Sequence, residues 1–360
     1  MRFITTVFFV FSTFFCATFA QAELEIVHKF DASTPPGNIA VGPDGRIFMS
    51  LHAFYGSDRK VVEVKKDGST VAYPPNGWGL AASPETGRGL HDVLGVRADA
   101  NGVLWMLDSA GKDHAGRLVG WDTKAEKLHK IIYLSRPNIG DDVFLNDIAV
   151  DLKNNAIYVS DTASATTSAI LVVSLETGQV RRVLHGHVST IAEDIDMVID
   201  ERTINLGGSP ARIGINPITL DTNNEWFYYG PMSGTSLYRV KTEDLNDASL
   251  SASDLASRVE RFGDRPISDG ASIDGAGNIY ITDITNDAIG VVKPDGSYEV
   301  LHQRDDISWP DGYAYGPDDK MYVVINELHR SPVLNGGENG SKGEFAIMRF
   351  DPVAKGKIGR

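Results

Sequence analysis

Cysteine is nearly absent: Cys16 is the one such residue in 360. A disulfide framework and a cysteine-based zinc site are both excluded on that count. Basic residues are also short, with 34 Lys and Arg against 48 Asp and Glu and a formal net charge of −14. That surplus repels a phosphate backbone, so nucleic acid is not an expected partner. Beyond the first 22 residues there is no stretch of the ~20 strongly apolar residues a bilayer span needs. The rest is an ordinary globular balance, 42% hydrophobic and 23% charged, which excludes wholesale disorder.

Met1 to Ala22 reads as a secretory signal. Arg2 supplies the charged start, residues 3–19 carry no charge, and Ala20-Gln21-Ala22 ends in the small-x-small pattern of a cleavage site. Cleavage there removes the single cysteine. The expected product is an exported protein, secreted or periplasmic, with no membrane attachment after cleavage. Residues 23–360 are expected to form one domain.

One pattern recurs along that domain: an apolar stretch, a tight Gly/Asn/Asp turn, and a β-rich run ending in a polar residue. The clearest copies are Ile148 to Asp161 and Ala271 to Asp283. Ile39 to Leu51, Val96 to Asp108, Ile218 to Gly230 and Ala314 to Asn326 complete a set of six. Alternating apolar residues around Asp-Gly or Asn-Gly are a strong hairpin signal. A second hairpin follows most copies, as at Asp67-Gly68, Thr123-Lys124, Thr177-Gly178 and Asp295-Gly296. Repeat ends at Asp108, Asp161, Gly230, Asp283 and Asn326 stand 53, 69, 53 and 43 residues apart. Two hairpins per repeat and six repeats predict an all-β, six-bladed β-propeller of four-stranded antiparallel blades around a central channel. Two inserts interrupt it: His185 to Arg212, with a strand expected at Met197 to Ile204, and Thr242 to Phe262, which reads helical with Ser251 as N-cap.

The residue entering each innermost strand looks into the channel mouth. Counting back 14 or 15 residues from the repeat ends reaches Asn146 (with Asp147 as the alternative), Asn216, Asp269 and Asp311. Asn38 and Asp92 stand near the same place in the first two repeats. Small amides and carboxylates at one recurring position suit a hard cation such as Ca²⁺, and a close pair of carboxylates suits a general base. The same residue types also satisfy backbone N–H groups at strand starts. Ser109-x-x-Lys112 follows a strand rather than sitting on a helical turn, so it is not an acyl-enzyme pair.

Several segments carry a family resemblance. Phe144-Leu-Asn-Asp-Ile-Ala-Val-Asp151, Tyr228 to Tyr238 (Tyr-Tyr-Gly-Pro-Met-Ser-Gly-Thr-Ser-Leu-Tyr), Ser268-Asp-Gly270, Trp309-Pro-Asp-Gly312 and Leu328-His-Arg-Ser-Pro332 resemble the Yellow / major royal jelly protein family, in particular its prokaryotic, dopachrome-tautomerase-related branch. The resemblance implies a secreted six-bladed propeller; some insect members of the family bind small amines in the central channel, and some are linked to dopachrome conversion. More distantly the chain resembles gluconolactonase and regucalcin propellers. That likeness implies a divalent cation held by Glu, Asn, Asn and Asp, of which Asn146, Asn216 and Asp269 match the last three. The Glu position falls near Asn38, a departure that removes a charge.

The functional expectation is a monomer that binds a small polar organic molecule in its channel. In an isomerase or a lactonase, Asp269 or Asp311 is the base and a cation near Asn146 and Asn216 polarises a carbonyl oxygen. In a non-catalytic amine carrier the same oxygens accept hydrogen bonds. Asn38 and Asp92 then contact ligand, and Phe144, Tyr229 or Trp309 covers its apolar face.

Overall fold

The computed structural model describes residues 23–360. The signal reading at 1–22, with Cys16, lies outside the described residues.

Six four-stranded antiparallel sheets follow one another as blades of a β-propeller. Their innermost strands are Pro36–Val41, Val93–Ala98, Leu145–Asp151, Ile215–Leu220, Ala271–Ile273 and Pro310–Tyr315, for blades 1 to 6. Each packs against the next, and the sixth returns to the first. The hairpin after each inner strand holds one residue in the left-handed region: Gly45, Gly102, Asn155, Asn224, Gly277 and Asp319. Glycine and the short amides and acids tolerate that conformation, which explains why the same residue types recur at the same place.

Apolar side chains fill the wedge between neighbouring blades. Trp105 and Leu107 of blade 2 meet Ile148, Val150, Ile157 and Val159 of blade 3. Tyr158 and Ile170 of blade 3 meet Phe227 and Tyr229 of blade 4. Corresponding clusters join every other adjacent pair, including blade 6 to blade 1. Full burial of each such side chain contributes roughly 1.5–3 kcal/mol.

The ring is closed by pairing of the two chain ends. Strand Glu25–Phe30 is the outer strand of blade 6, antiparallel to Phe345–Phe350. At the opposite end of the inner strands from the repeat entries, the tail crosses below blades 4 to 6. Arg360 accepts the Tyr315 amide at 2.7 Å, and its guanidinium reaches the Asp221 carbonyl at 3.1 Å and the Asn224 side chain.

The two inserts differ in detail from the sequence expectation. The strand expected at 197–204 is broken at Asp200-Glu201, both left-handed, which folds it into a short hairpin, Val198–Ile199 with Arg202–Thr203. A second hairpin, Asn205–Leu206 with Ser209–Pro210, follows. Met197, Ile199 and Ile204 pack with Trp309 and Leu328, so this insert lies over the entry face. The helical reading of 242–262 resolves into two short helices, Thr242–Asn246 and Ala252–Ala256. Ser251 caps the second, its hydroxyl accepting the Asp254 amide at 3.1 Å. Strand Glu260–Asp264 then completes blade 4, because Phe262 finds its packing there, edge-on to Tyr228.

Candidate functional site

A repeated backbone irregularity builds the site. In five blades the inner strand pairs once with its neighbour, skips two residues, and resumes the ladder. Pro36 pairs with Leu51 and Ile39 with Met49, leaving Gly37-Asn38 unpaired. The same break leaves Leu94-Gly95, Asn146-Asp147, Asn216-Pro217 and Asp311-Gly312 unpaired. In blade 5 the ladder begins at Ala271, and Asp269-Gly270 stand at the matching place. A bulge of this kind turns side chains that strict alternation would send to opposite faces. It also frees amide groups, and hydroxyls on the second strand take them up. Ser50 accepts the Asn38 N–H at 2.8 Å, Ser160 that of Asp147 at 2.9 Å, and Thr282 those of Asp269 and Gly270 at 3.1 and 2.8 Å.

Above these bulges lies a cavity of about 400 Å³. Asn38, Asn146, Asp147, Asp269 and Asp311 form its polar floor, and Phe54, Phe144, Ile213, Met232 and Leu334 supply apolar wall. Hydrogen bonds tie the floor together across blades. Asn38 donates to Asp147 at 2.6 Å. Asn146 donates to Asn216, and Asn216 to Asp269. The Trp309 indole N–H reaches the other oxygen of Asp269 at 2.7 Å, and Asn326 donates to Asp311 at 2.8 Å.

Three buried carboxylates on one floor cannot all ionise at ordinary cost. Burial pushes Asp147 up to about 7, with buried Arg97 and the Asn38 hydrogen bond opposing and Asp269 reinforcing. Burial likewise raises Asp269 to about 6, against the donors Trp309 and Asn216. Asp311 is raised well above the usual carboxylate range by burial and then by the charges of Asp269 and Asp147. Arg97 is itself anchored, donating to the Tyr313 carbonyl at 2.7 Å.

The sequence candidates separate on this geometry. Asn38, Phe144, Asn146, Asp269, Trp309 and Asp311 line the cavity. Both polar ends of the Asn38 amide are engaged, the oxygen by the Ile39 amide and the nitrogen by Asp147, so it positions Asp147. Asn216 is fully buried and joins the floor through Asn146 and Asp269 without lining the cavity. Asp92 does not join the others. It precedes the bulge, whose first residue in blade 2 is Leu94, and its side chain pairs with Lys60 at 2.9 Å. Tyr229 stands on the second strand of blade 4, fully buried, its hydroxyl 2.8 Å from that of Ser189 and away from the cavity wall. Asp147 enters as a full member of the floor beside Asn146, because the bulge turns both residues to the channel. His52, on the cavity wall, carries no sequence signal.

The oxygen-only donors Asn146, Asn216, Asp269 and Asp311 have the chemistry a hard cation takes. In blade 1 the first bulge residue is Gly37, which offers no side-chain donor. Among the described residues no three His, Cys, Asp or Glu side chains form a metal cluster.

Fold and cavity together define a six-bladed propeller with a small-molecule-sized, acid-floored central chamber. Residues 92–331 match the major royal jelly protein family, and the chain belongs to it. Major royal jelly protein 1 of Apis mellifera is 23% identical over 225 residues, 58% of this chain and 51% of that relative. The match thus spans about half the length of the curated relative. Among solved structures, a luciferin-regenerating enzyme superposes with a TM-score of 0.60 at 12% identity, covering 94% of this chain and 98% of the other. A gluconolactonase from Xanthomonas campestris gives 0.55 at 12%, covering 92% and 90%. Regucalcin, a calcium-binding protein from Agrobacterium tumefaciens, gives 0.53 at 15%, covering 92% and 97%. At these identities the structures share the fold.

Proposed function

We propose that this chain is an exported propeller that binds a small polar organic molecule in its central cavity and moves a proton on it, an isomerisation of the dopachrome-tautomerase type. The observation that carries this reading is the convergence of Asp147, Asp269 and Asp311 beneath an apolar-walled chamber. An isomerase of this kind takes a proton from one atom of the substrate and returns one to another. Groups that exchange protons near neutrality suit both steps, and burial places Asp269 at about 6 and Asp147 at about 7. Asp269 acts as base, and Asp311, which burial keeps protonated, returns a proton to the substrate. Phe144 and Trp309 cover the ligand's apolar face. Family membership supports the reading. Among the described residues no helix is long and apolar enough to cross a membrane.

A second reading rests on the oxygen donors. A divalent cation, Ca²⁺ by its hardness, would be held by Asn146, Asn216 and Asp269 and would polarise a lactone carbonyl, as suits a gluconolactonase-like hydrolase. Without catalysis, the same acid floor holds an ammonium group and the protein is an amine carrier.

The test follows dopachrome decay and glucono-lactone hydrolysis with the mature protein, its Asp269→Asn and Asp311→Asn variants, and chelator-treated protein. It is paired with a thermal-shift screen of catechols, amines and divalent cations. Accelerated dopachrome decay lost in both variants and indifferent to chelator supports the isomerase. Chelator-sensitive lactone hydrolysis supports the hydrolase, and amine-dependent stabilisation without turnover supports the carrier. No turnover and no ligand-dependent stabilisation overturns the channel site.

A further inference from the structure

His52 lies just beyond strand Ile47–Leu51 of blade 1, lines the cavity and is 5% exposed. Neither the proton-transfer scheme nor the cation scheme uses it. Its ring is held in one orientation. Nδ1 accepts the Phe54 amide at 3.2 Å, capping the single turn Ala53–Tyr55. The ring stands edge-on to Phe54 at 4.7 Å, and Phe54 in turn packs near Phe144 at 6.3 Å. The His52 backbone is fixed as well, its N–H donating to the Pro35 carbonyl at 2.9 Å.

This anchoring assigns the proton. A nitrogen that accepts an amide N–H has its lone pair occupied, so the neutral ring carries its hydrogen on Nε2. Burial alone depresses the imidazolium, to about 3, so the ring stays neutral through the physiological range. Nε2 has no acceptor among the described residues, nor is it one of the buried polar atoms sealed away without a partner. It therefore opens onto the cavity that His52 lines. The bulge residue beside it is Gly37, where a Cβ would stand 2.7 Å from the Ser50 hydroxyl and 3.4 Å from the His52 Cα. That position is packed against the second strand of blade 1 and admits no side chain.

We propose that the His52 Nε2–H is a pre-oriented donor that reads a carbonyl oxygen of the ligand, so the cavity selects ring compounds bearing a C=O. The proposal rests on the reading that the cavity is the ligand site. The acid floor offers acceptors and proton carriers, and His52 supplies a neutral donor on the blade 1 wall. A neutral donor with a fixed tautomer stabilises a carbonyl, and charge growing on its oxygen, without a proton changing place on the imidazole. A site built to donate discriminates against an analogue that lacks the acceptor, because its donor is then left dry and unpaired.

The probes are isatin and indole, which share a bicyclic frame and differ in the two carbonyls. Calorimetric titration of the mature wild-type protein is expected to give about tenfold tighter binding of isatin, the worth of one such hydrogen bond. His52→Asn keeps a side-chain acceptor for the Phe54 amide and loses the Nε2 donor; His52→Phe loses both. Both variants are expected to bring the ratio to within about twofold while unfolding near the wild-type temperature. A wild-type ratio near one, a preference retained in folded His52→Asn, or no binding of either probe overturns the proposal. So does a histidine-selective ¹⁵N spectrum that places the His52 proton on Nδ1, a measurement that needs no ligand. Failure of the site reading looks different: both probes bind undiminished to Asp269→Asn and Asp311→Asn and are not displaced by each other.

Discussion

The Trp309 indole N–H donates to Asp269 Oδ2 at 2.7 Å, joining blade 6 to the carboxylate of blade 5 beneath the cavity. Trp309 is fully buried, left-handed at φ 51°, and stacked at 5.9 Å on His329, so the donor has little freedom to move. The bond favours the ionised carboxylate and opposes the burial that raises Asp269 to about 6. Trp309→Phe keeps a buried ring and removes the donor. The Asp269 midpoint is expected to rise by on the order of one pH unit, the worth of a hydrogen bond to a charged group. Carboxyl ¹³C titration in wild type and variant reads it directly, and an unmoved midpoint contradicts the assigned role.

Asp311 makes a prediction about stability. Its folded carboxyl binds a proton more tightly than the ordinary value of 3.8, because it is buried and faces Asp269 and Asp147. Above pH 4 the folded state therefore holds a proton that the unfolded chain has released. Stability from this group is fully present below pH 4 and declines as pH rises through the folded value. Asp311→Asn keeps an oxygen for the Asn326 amide and has no proton to lose. The variant is expected to melt with wild type near pH 4 and about 2–4 °C higher at pH 8, the effect of roughly 1 kcal/mol. Scanning calorimetry at the two pH values checks this, and equal melting temperatures at both would count against a raised Asp311.

Much of the ring was legible because its signals are local. Gly45, Gly102, Asn155, Asn224, Gly277 and Asp319 each close a turn in the left-handed region, and six such turns mean six blades whatever lies between them. The polar floor of the cavity was legible to within a residue or two. Counting from repeat ends assumes an unbroken ladder, and the bulge breaks it. Leu94, rather than Asp92, is the first bulge residue of blade 2, and Asn38 is the second bulge residue in blade 1, after Gly37. Asp147 follows Asn146, and alternation would have sent it to the opposite face. Two features had no local signal at all. His52 is defined by a hydrogen bond to Phe54 and its place on the cavity wall, and strand Glu25–Phe30 by a partner more than 300 residues away.

Arg182 connects the outer part of blade 3 to the cavity wall. Its guanidinium holds the fully buried Asp161 at 3.0 and 2.8 Å, and Asp161 in turn accepts the Phe144 amide at 3.0 Å. Burial raises Asp161, and Arg182 opposes that rise. Arg182→Met leaves the carboxylate without its counter-charge, an expected cost of about 3–5 kcal/mol in denaturant unfolding at pH 7. Asp161→Asn added to Arg182→Met is expected to recover a large part, since no charge is then stranded. A double variant no more stable than the single one would place the loss in packing.

Ring closure gives the last prediction. Glu25 pairs with Arg349 and Phe30 with Phe345, and among the described residues this strand is all that covers the edge of Phe345–Phe350. Leu24 and Phe30 are buried, the Leu24 carbonyl accepts from Arg304 at 2.9 Å, and Glu25 accepts from Arg349 at 2.8 Å. A chain beginning at Asp31 loses about 3–6 kcal/mol from those two apolar side chains alone. It also leaves an apolar strand edge open to pairing with another chain. Size-exclusion chromatography of this truncation is expected to show oligomers where the chain beginning at Glu23 runs as a single species. A peptide of residues 23–31 supplied in excess is expected to restore the smaller species and raise the melting temperature, because the missing strand needs no covalent link to pair. Phe30→Asp in that peptide removes the buried ring and places a charge against Phe345, and it is expected to abolish the rescue. A truncation that stays monomeric with an unchanged melting temperature would show that blade 6 is held by its other three strands.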